Sequence, residues 1–179
     1  DPIDGTIPFS RGYPTFVFSL SLIHRGEVLM GVIYDPIMDR FVSAEKGKGA
    51  YLNGSRISVS DEMTLSKTSL LNWSEPQILS ELQNLLVKTG CRVASLYSAQ
   101  YSSLLVAVGS FVASIYADKK PWDGAAVKLI VEEAGGKVTD LDGNEQRYDR
   151  PINGCVASNG KVHQELIEIL KKARAEKAA

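Results

Sequence analysis

Alternating apolar and polar positions divide the first 60 residues into short extended segments. Residues 15–24 alternate in this way, with β-branched and aromatic side chains, and residues 28–36 and 39–46 read as two more strands after short turns. Such segments are typical of half-buried strands. An Asn53-Gly54 pair between two further short segments predicts a hairpin turn, because both central positions of that turn adopt positive φ. The first 60 residues are therefore predicted to form an antiparallel meander.

Helical and extended patterns alternate after residue 60. Apolar positions at helical spacing, with Ser98 and Asp123 as starting caps and glycines as stops, predict helices. The predicted helices cover residues 75–90, 98–109, 122–136 and 161–179, and the strands and their turns cover 91–96, 111–116, 137–146 and 153–159. This order predicts one body, α+β or layered α/β/α, with residues 1–60 as its antiparallel sheet and 61–179 as its α/β part.

Composition and charge narrow the class of protein. The 179 residues are 44% apolar and 23% charged, as in ordinary globular proteins. The net charge of −1 gives no broad attraction to nucleic acid or to an anionic membrane, and neither is expected as a partner. No apolar run approaches the ~20 residues that span a bilayer. Cys91 and Cys155 are far apart, which favours buried, reduced thiols in a cytoplasmic protein, with a single disulfide as the alternative.

The opening stretch DPIDGT places two carboxylates, Asp1 and Asp4, three positions apart in a turn. Two facing carboxylates repel each other, so they need a shared proton or a cation, and Mg²⁺ fits best beside a phosphate. The Ile3 carbonyl offers a further oxygen, and Thr6 offers a hydroxyl to a ligand or a water. The amides of Gly5 and Thr6 suit phosphate oxygens. The same six residues also fit a plain Asx turn, because Asp, Gly and Pro are common turn residues.

A third carboxylate, Asp123, stands at a predicted helix start in the stretch PWDGAA. An Asp in that place is most commonly an N-cap. The alternative is a third ligand for the same metal site, and both roles are compatible because a carboxylate has about four lone-pair sites.

Two stretches together resemble the signature motifs of a known family. DPIDGT and WDGAAVKLIVEEAGGKVTD are similar to the two motifs of the inositol monophosphatase family, the lithium-sensitive, Mg²⁺-dependent phosphomonoesterases. The stretches GVIYDPIMDRFVSAEKGKGAYLNGSRISVS and GCVASNGKVHQELIEIL resemble its sheet segment and its closing strand and helix. The resemblance covers nearly the whole chain. It implies a sugar-phosphatase-like fold with α-β-α-β-α layers and a homodimer.

The resemblance also implies a mechanism. Two or three Mg²⁺ ions would bind one phosphate and an attacking water, with Asp1 shared between two metals. Thr6 would help to orient and deprotonate the water, which makes Thr6 and Asp1 the predicted catalytic residues. The amides of Gly5 and Thr6 would contact the phosphate. The implied metal ligands are Asp1, the carbonyl of Ile3, Asp4 and Asp123.

The sequence departs from the family pattern at its start. Family members carry helices and a Glu-containing metal motif before the first signature, and no Glu of this chain stands in that context. The chain is therefore expected to be the C-terminal two thirds of one phosphatase domain. On this interpretation it should bind Mg²⁺ weakly, inactivity of the chain by itself is left open, and apolar surface can be exposed where helices would pack.

A second departure concerns the substrate. The family's Gly-Thr/Ser-Ala stretch is Tyr97-Ser98-Ala99 here, and Tyr116 stands where inositol-specific members carry a Glu. The next charged residues are Asp118, Lys119 and Lys120. They form either a solvated loop or contacts to a second anionic group on the substrate. The predicted substrate contacts are Asp4, Ser98, Ala99, Tyr116 and Asp123.

These observations predict Mg²⁺-dependent hydrolysis of a small phosphomonoester, an inositol or sugar phosphate, to an alcohol and phosphate. Three other substrates of the same fold stay open: 3′-phosphoadenosine 5′-phosphate, histidinol phosphate and fructose 1,6-bisphosphate. The alternative from another class is an inactive relative that only binds an anion or a partner. His24 and His163 are predicted to be structural or surface residues.

Overall fold

The first sheet is an antiparallel meander, as seen in a computed structural model that describes residues 1–74 and 79–178. Its strands follow one another in space in chain order, which confirms the predicted meander. They are β1 (Phe18–His24), β2 (Glu27–Asp35), β3 (Arg40–Glu45), β4 (Gly49–Leu52) and β5 (Ser55–Arg56). At the β4–β5 turn Asn53 and Gly54 have φ of 47° and 83°, as predicted for a tight hairpin.

The second sheet is mixed, with the order β7-β6-β8-β10-β9. Strand β6 pairs in parallel with β7 and β8, whereas β10 pairs antiparallel with β8 and β9. The strands are β6 (Leu70–Ser74), β7 (Arg92–Ala94), β8 (Ala113–Tyr116), β9 (Lys137–Thr139) and β10 (Cys155–Ser158). Apart from β6, all were predicted as strands, although each is shorter than its predicted segment.

Five helices complete the described part of the chain. They are α1 (Thr6–Ser10), α2 (Leu79–Thr89), α3 (Ala99–Ala107), α4 (Pro121–Glu133) and α5 (His163–Ala178). The Ser98 cap of α3 is confirmed, because its hydroxyl accepts a hydrogen bond from the Tyr101 amide. The first four residues of the predicted helix 75–90 lie outside the described residues. Helix α1 was not predicted.

The expectation that Asp123 caps its helix is wrong. The N-cap of α4 is Lys120, with Pro121 as the first helical residue, so Asp123 lies in the first turn. Proline suits that first position because its fixed φ matches the helix and its missing N–H would have no partner there. The carboxylate of Asp123 is thereby left available for another role.

Helices α3 and α4 lie between the two sheets, and α2 and α5 cover the far face of the second sheet. Close packing of α4 on β2 depends on Gly31, where a Cβ would come within 3.2 Å of the Ala126 backbone. The layers are thus sheet, helices, sheet and helices, which accounts for four of the five predicted layers within the described residues. Cys91 and Cys155 are both buried, free thiols.

The outward face of the first sheet is apolar. Alternate residues of β1 and their cross-strand neighbours expose large side chains there: Phe18, Leu20, Leu22, Met30 and Phe41. An antiparallel sheet that faces water on one side normally carries polar residues on that side. The expected apolar surface is therefore present. Within the described residues, no helix has both the length and the apolar character to cross a bilayer.

Candidate metal and phosphate site

Backbone pairing with the first sheet fixes the segment that carries Asp1 and Asp4. Asp4 pairs with Val17 in both directions, with N···O distances of 2.9 and 3.0 Å. The Asp1 carbonyl accepts a hydrogen bond from the Ser19 amide at 2.9 Å, and the Asp1 nitrogen donates to the Ser19 carbonyl at 3.1 Å. The two carboxylates are therefore carried by a segment paired to the edge of the sheet, and Asp1 Oδ1 also accepts the Ile3 amide at 2.9 Å, which is the hydrogen bond of the predicted Asx turn.

Gly5 lets the chain reverse directly after Asp4. Its φ is +90°, which L side chains rarely adopt, and a Cβ there would lie 2.7 Å from the Thr15 carbonyl oxygen and 2.9 Å from Ser98 Cβ. Helix α1 begins at the next residue, Thr6, which is exposed. Among the described residues, none accepts a hydrogen bond from the Gly5 or Thr6 amide.

Helix α4 brings Asp123 to the same place. The side chain of Asp123 is 6% exposed, and none of the described residues donates a hydrogen bond to its carboxylate. The first turn of α4 is anchored to strand β8, because the Tyr116 hydroxyl donates a hydrogen bond to the Asp123 carbonyl at 3.1 Å. The helix thus presents a buried carboxylate that lacks a protein partner in the described part of the chain.

Asp1, Asp4 and Asp123 form one cluster. Each offers a carboxylate oxygen, and these three oxygens all lie within 4.8 Å of one another. Burial, followed by repulsion from the Asp118 and Asp4 carboxylates, raises the pKa of Asp123 to about 6, although Lys120 opposes the shift. Three converging carboxylates, two of them buried, are a donor set that suits a hard divalent cation. The cluster could therefore hold a metal ion.

Asp4 is oriented by groups from helix α3. Its Oδ1 accepts hydrogen bonds from the Ser98 hydroxyl and from the Gln100 amide, the latter at 3.1 Å. Burial raises the pKa of Asp4, and these two hydrogen bonds oppose that shift. Since both bonds go to Oδ1, Oδ2 is free to face the cluster.

The cluster lies in a cavity of about 440 Å³. Its lining comprises Asp1, residues 3–7, Tyr97, Ala99, Asp118, Lys120, Trp122 and Asp123. Lys120 also lies over the Trp122 ring, with its Nζ 5.8 Å from the ring centroid. Every predicted metal and phosphate ligand therefore lines one polar cavity.

Two of the predicted substrate contacts lie elsewhere. Ser98 is 2% exposed and its hydroxyl donates to Asp4, while Tyr116 is fully buried and its hydroxyl donates to the Asp123 backbone. Neither lines the cavity, and their hydroxyls hold the two residues that carry its buried carboxylates. Asp4, Ala99 and Asp123 do line it, and Lys119 does not.

Sequence reasoning missed Gln100 and the wall residues Ile7 and Trp122. Gln100 is fully buried, its amide binds Asp4, and its Nε2 donates to the Trp122 carbonyl at 3.2 Å. Its Oε1 has no partner among the described residues. The available signal was a glutamine in the first turn of a helix that contains no charged residue, since a buried amide calls for a polar partner.

Comparisons with known proteins agree with this geometry. A profile of the inositol monophosphatase family matches residues 1–175. The chain is 35% identical over 172 residues to a fructose-1,6-bisphosphatase/inositol-1-monophosphatase of Thermotoga maritima, covering 96% of this chain and 66% of that protein. It is also 35% identical over 178 residues to a histidinol-phosphatase of Mycobacterium tuberculosis, covering 93% of this chain and 66% of that protein.

A solved structure of a Thermotoga maritima IMPase has a TM-score of 0.90 to this chain at 35% identity, covering 98% of this chain and 68% of that one. This likeness confirms the predicted fold. The chain spans 66% of the length of the two relatives. The match over residues 1–175, together with the two motifs that meet at one cavity, places the chain in the inositol monophosphatase family.

Proposed function

We propose that this chain carries the metal- and phosphate-binding centre of a Mg²⁺-dependent phosphatase, which hydrolyses a small phosphomonoester to an alcohol and phosphate. The observation that supports this most directly is the convergence of Asp1, Asp4 and Asp123 in a cavity beside unpaired backbone amides. Because the site draws on the first sheet and on α4, residues 1–60 and 61–179 act as parts of one domain.

The carboxylates of Asp1, Asp4 and Asp123 and the carbonyl of Ile3 would hold the metal. Ile3 lines the cavity, and its carbonyl accepts no backbone hydrogen bond from the described residues. Bound Mg²⁺ supplies a Lewis acid that neutralises charge on the phosphoryl oxygens. These residues fit a hard cation because all the donors are oxygens.

The remaining groups act on the phosphate and the water. The exposed Thr6 hydroxyl can orient a water molecule by accepting a hydrogen bond from it, and the unpaired Gly5 and Thr6 amides can donate to phosphate oxygens. Lys120 adds positive charge at the cavity wall. In the reaction the water oxygen bonds to phosphorus, the bond from phosphorus to the alcohol oxygen breaks, and one proton of the water ends on the alcohol.

The substrate is a small phosphorylated alcohol, of which we propose an inositol or sugar phosphate as the class to test first. The names of the two relatives above favour inositol phosphate, fructose bisphosphate and histidinol phosphate as specific candidates. In this chain Asp4, Ala99 and Asp123 are the predicted contacts that line the cavity. Asp118 and Lys120 line it too, so groups of both charges face the substrate.

The test is release of inorganic phosphate from this panel in MgCl₂, with calorimetric titration of Mg²⁺ and phosphate in parallel. We expect Asp123→Asn to lower Mg²⁺ affinity or turnover by about 100-fold, since a cluster oxygen is lost, and Thr6→Ala to lower turnover by about 100-fold with little effect on Mg²⁺ affinity. Asp61→Asn is the matched control, because Asp61 is a fully exposed carboxylate that forms a surface ion pair with Lys161 and lines no part of the metal cavity.

Two results would contradict the proposal in different ways. Binding of Mg²⁺ and phosphate without hydrolysis of any substrate, both by this chain and by a chain extended with the family's Glu-containing N-terminal segment, would favour a protein that only binds an anion. No binding of Mg²⁺ at millimolar concentration, or equal effects of Asp123→Asn and Asp61→Asn, would show that the cluster is not a metal site.

A further inference from the structure

Gln100 contacts both of the segments that carry a buried carboxylate of the metal site. Its main-chain amide donates to Asp4 Oδ1 at 3.1 Å, and its side-chain Nε2 donates to the Trp122 carbonyl at 3.2 Å. The Trp122 carbonyl belongs to the peptide unit that joins Trp122 to Asp123. Gln100 therefore links Asp4 to the first turn of α4, which carries Asp123.

The two peptide units that flank Asp123 are both held by side chains from outside α4. Gln100 holds the unit before Asp123 through the Trp122 carbonyl, and the Tyr116 hydroxyl holds the unit after it through the Asp123 carbonyl. Because each peptide unit is planar, the orientation of the two units around a Cα sets the direction of its Cα–Cβ bond. These two hydrogen bonds therefore restrain the direction in which the Asp123 side chain leaves the helix.

The hydrogen bond from Gln100 is not needed to complete helix α4. A carbonyl in the first turn of an α-helix already accepts the main-chain N–H four residues further on. The groups that lack partners at this end of a helix are amides, and not carbonyls. The second hydrogen bond on the Trp122 carbonyl therefore positions the start of α4 without satisfying a group that would otherwise be unpaired.

The side chain of Gln100 also carries a cost that packing does not explain. It is fully buried, and its Oε1 has no hydrogen-bond partner among the described residues. A buried polar atom without a partner lowers the free energy of unfolding, and an apolar side chain of the same length would fill the space without that loss. The Nε2 hydrogen bond therefore explains a glutamine at this position better than a gain in stability does.

The carboxylates of Asp4 and Asp123 need such a restraint. They come from segments far apart in the chain, and one oxygen of each lies within 4.8 Å of the other. Like charges at this separation repel each other when no cation lies between them. Groups that orient a metal ligand from outside the coordination shell typically contribute about 10–100-fold to metal affinity.

We propose that Gln100 is a positioning residue of the metal centre, whose side chain sets the place of Asp123 relative to Asp4 and so raises the affinity for Mg²⁺. Gln100 does not line the cavity, so it acts through these two aspartates and not on the metal or the substrate. The inference rests on the proposed function, because it concerns the same carboxylate cluster.

The test is Gln100→Met, which keeps the length of the side chain and removes both the Nε2 donor and the unpaired oxygen. Mg²⁺ affinity is measured by titrating the full chain with MgCl₂ and following the fluorescence of Trp122, which lines the cavity. The midpoint of urea unfolding is measured without metal. We expect the dissociation constant for Mg²⁺ to rise about tenfold, and the urea midpoint to stay the same or to rise.

Gln146→Met is the matched control. Gln146 also donates its Nε2 to a main-chain carbonyl, that of Gly154 at 2.8 Å, but its Oε1 accepts from the Asn153 amide, and it does not line the metal cavity. Because both ends of this amide are paired, we expect a lower urea midpoint and an unchanged dissociation constant for Mg²⁺. Gln100→Leu is the second variant, since it removes the same donor with a different shape.

The outcomes separate this inference from the proposed function. If the wild type binds Mg²⁺ and both Gln100 variants bind it within twofold of the wild type, only the inference fails. It also fails if only one of the two variants loses affinity, which would be an effect of packing. A urea midpoint lowered in both variants as far as in Gln146→Met would show a structural role and overturn the inference. If the wild type does not bind Mg²⁺ at millimolar concentration, the proposed function fails, and the inference fails with it.

Discussion

A buried imidazole should make the stability of this protein depend on pH in a specific way. His163 is 3% exposed and lies between two hydroxyls, with Thr139 Oγ1 at 2.9 Å from Nε2 and Ser158 Oγ at 2.8 Å from Nδ1. Thr139 donates its proton to the Asp140 carbonyl, so it accepts from Nε2–H. Nδ1 is then the acceptor of the Ser158 hydroxyl, and all groups are satisfied by a neutral ring.

The size of the pH-dependent change in the free energy of unfolding follows from the shift in the pKa of His163. Burial and repulsion from Lys137 lower the pKa of His163 from 6.5 to about 4. The unfolded chain therefore takes up a proton before the folded chain does, so the contribution to stability is complete above pH 6.5 and is lost as the pH falls toward 4. One pKa unit corresponds to ~1.4 kcal/mol, which gives a loss of about 2 kcal/mol by pH 5 and about 3 kcal/mol in total.

The raw pH profile of the protein does not isolate this effect. Asp123, whose pKa is raised to about 6, has the opposite sign, because the folded chain takes up its proton first and gains stability as the pH falls. The quantity to measure is the difference in free energy of unfolding between the wild type and His163→Gln, by urea denaturation from pH 8 to pH 4.5. In that difference, the pH-dependent contributions of the groups that the two proteins share cancel, and the contribution of His163 is left.

We expect the advantage of the wild type over His163→Gln to shrink by about 2 kcal/mol between pH 7.5 and pH 5. His24→Gln, at the only other histidine of the chain, is the control for loss of an imidazole. The reasoning is refuted if the difference between wild type and His163→Gln does not change over this range. It is also refuted if NMR shows the His163 ring titrating near 6.5, since the ring would then not be held neutral.

Three further predictions concern the site and its support. Without metal at pH 8, Asp123→Asn should raise the free energy of unfolding by about 2 kcal/mol, because it removes a buried, repelled carboxylate, and the added stability from MgCl₂ should be lost. Gly5→Ala should cost at least about 2 kcal/mol in urea denaturation, since its Cβ would meet the Thr15 backbone, while Gly47→Ala, at positive φ in open space, should cost about 1 kcal/mol. Asp35→Ala should cost about 3 kcal/mol, because the fully buried carboxylate holds Arg40 at 2.6 Å and accepts two backbone amides. Equal losses at Gly5 and Gly47, or no loss at Asp35, would contradict these accounts.

Much of the fold could be predicted because it depends on local patterns. Alternation of apolar residues located the meander, and the Asn53-Gly54 pair located its last turn, since only a few residue types accept positive φ. Helix ends were predicted less well. Asp123 is a common cap residue, yet Pro121 starts α4 and leaves Lys120 as the cap, because proline needs no acceptor for an N–H.

Part of the site could be predicted for a similar reason. Asp1 and Asp4 are close in sequence, so local geometry relates them, and the resemblance to a family selected the metal-ligand alternative for Asp123 over the N-cap. The roles of Ser98 and Tyr116 could not be read from sequence, because a hydroxyl near a site either faces the substrate or holds a ligand, depending on burial. Here both are buried, and each holds the residue that carries a carboxylate.

The sequence by itself determined most of the strands and helices, the composition of the donor set and the glycine that reverses the chain after Asp4, since each follows from local sterics and side-chain chemistry. Only the tertiary structure decided that Asp123 comes within 4.8 Å of Asp1 and Asp4, and that Gln100 links Asp4 to the start of α4. Both features join segments far apart in the chain. Their proximity is set by the packing of α3 and α4 between two sheets, where burial of many side chains fixes the distance between groups that no local pattern relates.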